Sequence, residues 1–315
     1  MKNILIFRTD RIGDFLVISP IFSSLKRNFK NCKIDIICSK MNYRFVRSFQ
    51  TFNNVYLYPD NFIKKFFFFI NLKKYDCIIV TDGKKRSIYI TLFKLCKYKY
   101  LFTPSINIKK LFEYFFNKVF IINYNIPKIK FIENFLSEIN CDLKNEDINF
   151  ILNYENSASI NNNFLKEKYI IFNFDEKWIY NNYIKSYEVI EPSKLQFLEF
   201  ISELSVNQKV IIVNGYKNNP ILDEINFNNF SNIILKKNVD IFELQTLIKY
   251  SKCLITCHGA PSHIASNYNV KIIDIVDSSE IKFFESYNHH FKNKIQLMRT
   301  DFDSLSKKIL SNINN

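Results

Sequence analysis

The chain has 315 residues, 47% of them hydrophobic, with only four Gly and seven Pro. That length suits two domains of ordinary size, and the composition excludes collagen-like, linker-like and low-complexity classes. The formal net charge of +14 favours anionic partners such as nucleotides, phosphorylated glycans, an acidic membrane face or nucleic acid, unless the lysines merely solvate the surface. No zinc-finger, RNP-like or helix-turn-helix signature accompanies the charge, so nucleic acid is not expected as a partner.

A strand begins at once over residues 3–7, with no signal-peptide pattern before it, and no apolar run reaches membrane-spanning length. A cytoplasmic protein is therefore expected, with peripheral contact to a membrane face left open. Further strand-like runs fall at 33–38, 55–58, 75–80 and 99–102, and Ile18, Phe22, Leu25 and Phe29 carry a helical spacing between the first two. The run 66–70 is too short to span a membrane and is flanked by Lys64, Lys65, Lys73 and Lys74; it suits core packing or an interfacial helix.

An Asn-rich stretch at 153–163 has the composition of a linker and places a boundary near 150–165, giving domains 1–160 and 161–315. The second half repeats the alternation, with strands expected at 169–174, 209–213, 232–235, 253–256 and 270–276. Helices are expected at 193–204, 240–250 and 260–267. A last helix over 301–313 can pack back on the first domain. Its Asp301-x-Asp303 pair reads as a helix cap rather than a metal motif. Apolar strands alternating with amphipathic helices predict an α/β fold with two doubly wound parallel sheets, Rossmann-like, whose ligand crevices face a central cleft.

Seven cysteines show no CxxC pair. Cys253 and Cys257, with His258 adjacent, lack two further ligands for zinc and read as reduced, buried thiols. Two segments centred on glycine carry the chemistry. The first runs Phe7-Arg8-Thr9-Asp10-Arg11-Ile12-Gly13-Asp14 into a helix and then Ser19-Pro20. Gly13 allows close backbone approach or a positive φ. Asp14 at the helix start either caps it or acts as a general base; Arg8 and Arg11 either hold phosphate or pair with Asp10 and Asp14. The second is Thr256-Cys257-His258-Gly259-Ala260-Pro261-Ser262-His263-Ile264-Ala265, a strand, a turn and a helix start whose N–H groups suit a diphosphate. His263 is a phosphate contact or a buried structural histidine.

The Arg-Ile-Gly-Asp loop, the Ser-Pro after it, and Tyr75 to Gly83 followed by Arg86-Ser87 resemble the heptosyltransferase family, glycosyltransferase family 9. The resemblance implies a GT-B-like fold and a heptosyl or hexosyl transferase acting in lipopolysaccharide or related surface-glycan synthesis. Transfer would run from a nucleotide-diphosphate sugar to a glycan or lipid-linked acceptor, with inversion, no cofactor and no metal. It implies Asp14 as catalytic base, and acceptor binding by Arg8, Arg11, Gly13, Asp82 and Arg86. The C-terminal domain is expected to hold the donor. There the family has a phosphate-neutralising Lys, matched by Lys177 or Lys185, and a strand under the nucleotide, matched up to Asn214 and Gly215. Thr256, Gly259, Ala260, Ser262 and His263 fall on the diphosphate turn. Asp223 or Glu224 meets the ribose or is solvated, and Trp178 stacks on a ligand or packs in the core. The chain has Cys257-His258 where the family has Asp and Ser or Thr, and one more residue between Gly and His. Those departures leave a second reading, a catalytically inactive sugar-nucleotide or glycan-binding protein on the same fold.

Overall fold

The computed structural model describes residues 1–148, 168–179, 187–215, 217 and 219–314. The expected linker and Lys185 lie outside the described residues. The chain divides into two compact units, Met1–Tyr154 and Glu155–Asn315.

The first unit carries β1 (Asn3–Arg8), β2 (Lys33–Cys38), β3 (Asn54–Leu57), β4 (Cys77–Val80), β5 (Tyr98–Thr103) and β6 (Lys118–Ile121). They form one sheet in the order β3-β2-β1-β4-β5-β6, and every pair is parallel. The second unit carries β7 (Ile170–Asn173), β8 (Val210–Val213), β9 (Ile233–Lys236), β10 (Cys253–Cys257), β11 (Lys271–Val276) and β12 (Lys294–Met298). Its order is β12-β11-β10-β7-β8-β9, again all parallel. Both units therefore follow the same winding. Each starts mid-sheet, adds two strands on one side, and returns to add three on the other.

Strand chemistry explains the pattern. Parallel neighbours need crossover helices, which cover both faces, so central strands are apolar without interruption. β1, β4, β7, β8 and β10 are buried almost throughout. The two strands that the sequence reading did not find, β6 and β12, are the corresponding edge strands of the two sheets. Lys294-Ile-Gln-Leu-Met is half-buried and Gln296 interrupts its apolar residues, while the apolar part of β6 is only Val119-Phe120-Ile121.

In the second unit Phe172, Phe174, Trp178, Phe197, Phe200 and Phe302 form an aromatic core. Trp178 is fully buried and its Nε1–H donates to the Asn173 carbonyl at 2.9 Å, so it packs and is not available to stack on a ligand. The last helix, Phe302–Asn314, buries Phe302, Leu305 and Ile309 in the second unit's core. Asp301 caps this helix by accepting from the Ser304 N–H at 2.9 Å, and Asp303 accepts from Gln196.

Leu305 has no exposed surface, so Leu305→Ala leaves a cavity and should cost the second unit about 3 kcal/mol. Urea unfolding followed through Trp178, the only Trp of the chain, checks this directly.

Candidate functional site

In a doubly wound sheet the loops after the first and fourth strands part company, and the gap at their carboxyl ends is where ligands bind. In the first unit those loops follow β1 and β4. β1 ends in Arg8, a guanidinium only 5% exposed. Its Nη1 donates to the Thr81 carbonyl at 2.7 Å and its Nη2 to the Asp14 carbonyl at 2.6 Å. It pairs with Asp10 at 2.9 Å and approaches an Asp14 carboxylate oxygen at 3.7 Å. Of the two roles considered for Arg8, internal pairing is the one observed.

Thr9 ties the two loops together. Asp82 Oδ2 accepts from its N–H at 3.1 Å and its hydroxyl at 2.6 Å, while Ser87 donates to the same oxygen. Arg86 and Lys84 donate to the Thr9 carbonyl at 2.7 and 2.8 Å, and the Arg86 guanidinium lies over the Tyr58 ring. Asp82 and Arg86, expected at an acceptor, thus brace the loop of the expected base. The glycine requirement also moves: Gly13 sits inside the helix Ile12–Val17, whereas Gly83 has φ +61° and a Cβ there would lie 2.8 Å from the Phe102 carbonyl.

Asp14 occupies the third position of that helix, where an acidic group is favourable, and keeps a third of its side chain exposed. Its Oδ2 accepts from the Arg11 N–H at 3.4 Å. Arg11 itself is exposed. Two titratable neighbours, Asp10 and Lys128, were not among the expected site residues. Burial pushes the Asp10 carboxyl up to about 6, opposed by Arg8 and reinforced by Asp14 and Asp82. Burial and the Arg8 charge bring the Lys128 ammonium down to about 7, against the pull of Asp14 and Asp10. Lys128 opens the helix Lys128–Glu138, far away in sequence, and lies over the Phe131 ring.

In the second unit a pocket of about 350 Å³ opens at the ends of β7 and β8. Val213, Val239, Leu244 and Pro261 give it apolar walls, and Asn173, Asp175, Asn214, Gly215 and Lys217 give it polar ones. The size and lining fit a small-molecule ligand. Beside it, Lys177 reaches from the loop after β7 to the loop after β10. Its Nζ donates to the His258 carbonyl at 3.0 Å and the Cys257 carbonyl at 3.4 Å, and lies 3.5 Å from Asp175. A Cβ on Gly259 would collide with this ammonium, which gives the Gly its reason. Burial raises the Asp175 carboxyl, with Lys177 opposing.

The turn offers an anion fewer groups than its position suggests. Pro261 has no N–H, and the Ser262 and His263 N–H groups already return to the Gly259 carbonyl. The Gly259 N–H itself donates to the Ser262 Oγ at 3.4 Å, which leaves the Ala260 N–H as the turn's backbone donor for an anion. Thr256, Ser262 and His263 are buried beneath it. Thr256 Oγ1 accepts from Asn173 and donates to the Cys257 carbonyl; Ser262 donates to Asp274 at 2.7 Å. His263 Nδ1 lies 3.0 Å from His290 Nε2, so its structural alternative is the one observed. His258 turns aside to Asp274 at 2.7 Å. Glu224 is exposed, pairs with Lys194 and does not line the pocket. Among the described residues no three His, Cys, Asp or Glu side chains converge to hold a metal ion, and burial pushes the Cys253 and Cys257 thiols up to about 12.

No family model and no curated protein matches the chain by sequence. Solved structures do match over its whole length. The family 9 glycosyl transferase of Veillonella parvula is 15% identical at a TM-score of 0.75, covering 99% of this chain and 91% of that one. E. coli ADP-heptose LPS heptosyltransferase II is 15% identical at 0.69, covering 100% and 98%. The fold is GT-B-like. A UDP-GlcNAc 2-epimerase from Methanocaldococcus jannaschii is also similar, 14% identical at 0.57 with 100% and 92% covered, so the GT-B-like fold alone does not fix the reaction.

Gly259→Ala should leave folding intact while displacing the Lys177 ammonium, weakening nucleotide-diphosphate binding about ten-fold. Calorimetry on the purified variant measures it. A second expectation concerns acid. Burial and neighbouring histidines hold the His263 and His290 rings well below the usual 6.5, so both stay neutral in the fold. The unfolded chain takes up protons as pH falls through 6.5, and stability of the second unit should drop there by about 1.4 kcal/mol per pH unit for each ring. Urea unfolding of the wild type and His290→Asn between pH 7.5 and 5.5 should give a shallower slope in the variant.

Proposed function

We propose that the chain is an inverting, metal-independent glycosyltransferase of the heptosyltransferase kind, moving a sugar from a nucleotide diphosphate to a glycan or lipid-linked hydroxyl. The observation that carries this is Lys177 seated on the Gly259 turn beside an apolar-walled pocket at the carboxyl ends of β7 and β8. A nucleoside fits the pocket, and its diphosphate meets the ammonium and the Ala260 N–H. The fold shared with the family 9 glycosyl transferase and heptosyltransferase II supports the same reading.

In this mechanism Asp14 accepts the proton of the acceptor hydroxyl as the oxygen attacks the anomeric carbon. The bond from that carbon to the diphosphate breaks, and the leaving oxygens take their charge to Lys177 and the Ala260 N–H. Arg8 holds the helix that carries Asp14, and Thr9, Asp82 and Arg86 hold Arg8's loop, so these residues position the base rather than bind the acceptor. Arg11, exposed on the same loop, is the acceptor contact in this reading. The enzyme would work on surface-glycan precursors at the cytoplasmic face of a membrane. Among the described residues no helix is long and apolar enough to cross one.

The similar E. coli enzyme is an ADP-heptose LPS heptosyltransferase, which makes ADP the first nucleotide to test. ADP, GDP, UDP and CMP binding is measured by calorimetry with and without EDTA, and selective micromolar binding that survives EDTA is expected. Asp14→Asn should then lose at least about 1000-fold in transfer while donor affinity stays within two-fold. Retained turnover excludes Asp14 as the base. Donor binding without transfer across an acceptor panel would favour the inactive binding protein, and acceptor-independent change of the sugar would favour an epimerase.

A further inference from the structure

Three helices of the first unit, Phe62–Asn71, Lys85–Leu92 and Ile106–Phe112, lie on the same side of its sheet. Phe68, Ile88 and Phe112 from the three pack with Leu5, Ile78 and Leu101 of β1, β4 and β5 in one core. Their other side is apolar as well. Ile63, Phe66, Phe67 and Ile70 are spaced i, i+3, i+4, i+7, so they form one stripe along the first helix, and each is more than half exposed. Phe93 and Leu95, just after the second helix, are 87% and 96% exposed. Tyr114, after the third, is 87% exposed. So many exposed apolar side chains on helices that share one side of a sheet mark a binding surface.

Charge selects the partner. Residues 61–115 hold twelve Lys and Arg against three Asp and Glu. Lys64, Lys74 and Lys110 are exposed among the aromatic side chains. Lysine is depleted from protein–protein interfaces. At a bilayer, by contrast, its stem lies along the apolar layer and its ammonium meets anionic headgroups. We infer that this three-helix face docks the protein on an anionic lipid surface, with the Phe66–Phe67–Ile70 stripe entering the headgroup layer and the lysines around it pairing with phosphates. The inference deepens the proposed function by naming where a lipid-borne acceptor is met, and it uses none of the donor or base residues.

The experiment is flotation of the full chain with vesicles of phosphatidylcholine alone and of phosphatidylcholine mixed with phosphatidylglycerol. Binding to the mixed vesicles, reversed by salt, is expected, and Phe66→Ser/Phe67→Ser/Ile70→Ser should lower it about ten-fold or more. Because these side chains are exposed, the variant should keep its circular dichroism and its ADP affinity. A Lys64→Gln/Lys74→Gln/Lys110→Gln variant should lose most of the salt-sensitive part. Absence of wild-type binding, or equal binding by the triple Ser variant, overturns the inference. So does light scattering that shows a dimer split by those substitutions, which would make the face a contact with a second copy. The readout is lipid binding and not transfer, so its failure leaves the donor chemistry standing, and failure of nucleotide binding leaves this surface standing.

Discussion

A guanidinium cannot leave water without replacing its hydration, and the first unit is organised around meeting that demand for Arg8. The carbonyls of Thr81 and Asp14 and the carboxylate of Asp10 supply the replacements. Thr81 follows β4 and Asp14 lies on the helix after β1, so one side chain closes the gap that the winding opens. Removing it would strand Asp10 beside a low-polarity wall, where burial already favours its protonated form. Asp14 is held by its carbonyl and leaves its carboxylate partly open, a division of labour that suits a positioned base.

The second unit solves the same topological problem with a different cation. Lys177 spans from the loop after β7 to the carbonyls after β10, the counterpart of the span Arg8 makes. The chemistry of the two cations separates their roles. Arg8 is charged at any working pH, and its donors are committed to carbonyls and carboxylates. Lys177 is a compact ammonium on a flexible stem, at 15% side-chain exposure, and it holds the carbonyls of Cys257 and His258. Repeating one winding has thus put a locked guanidinium across the loops of one unit and a more open ammonium across those of the other.

The winding itself was legible because central parallel strands are buried on both faces and read as unbroken apolar runs. In the edge strand β12, Gln296 falls between Ile295 and Leu297 and broke the pattern. Asp301 was legible as a cap for a local reason, since it bonds the Ser304 N–H three residues on. The site was legible only where its chemistry is local. Asp14, Gly259 and Lys177 announced themselves by their neighbours in sequence. Thr9, Lys128 and Val239 did not, because each acts through a contact that only the fold creates. For Arg8 and His263 the sequence left ligand contact and internal pairing both open, because burial, which the fold alone sets, decides which partners a polar side chain finds.

The departure at Cys257-His258 also has a physical reading. Lys177 takes hold of the turn through the carbonyls of these two residues, not through their side chains. Their identity is therefore free to change so long as each side chain finds a place. Cys257 packs among Trp178 and Ile255 in the core, and His258 pairs with Asp274, which also takes the Ser262 hydroxyl. A side chain at Gly259 would displace the Lys177 ammonium, which lies where a Cβ would stand. An anion site built from a backbone turn and one lysine keeps its electrostatics through such substitutions, which is why the altered sequence around Gly259 is compatible with a working donor site.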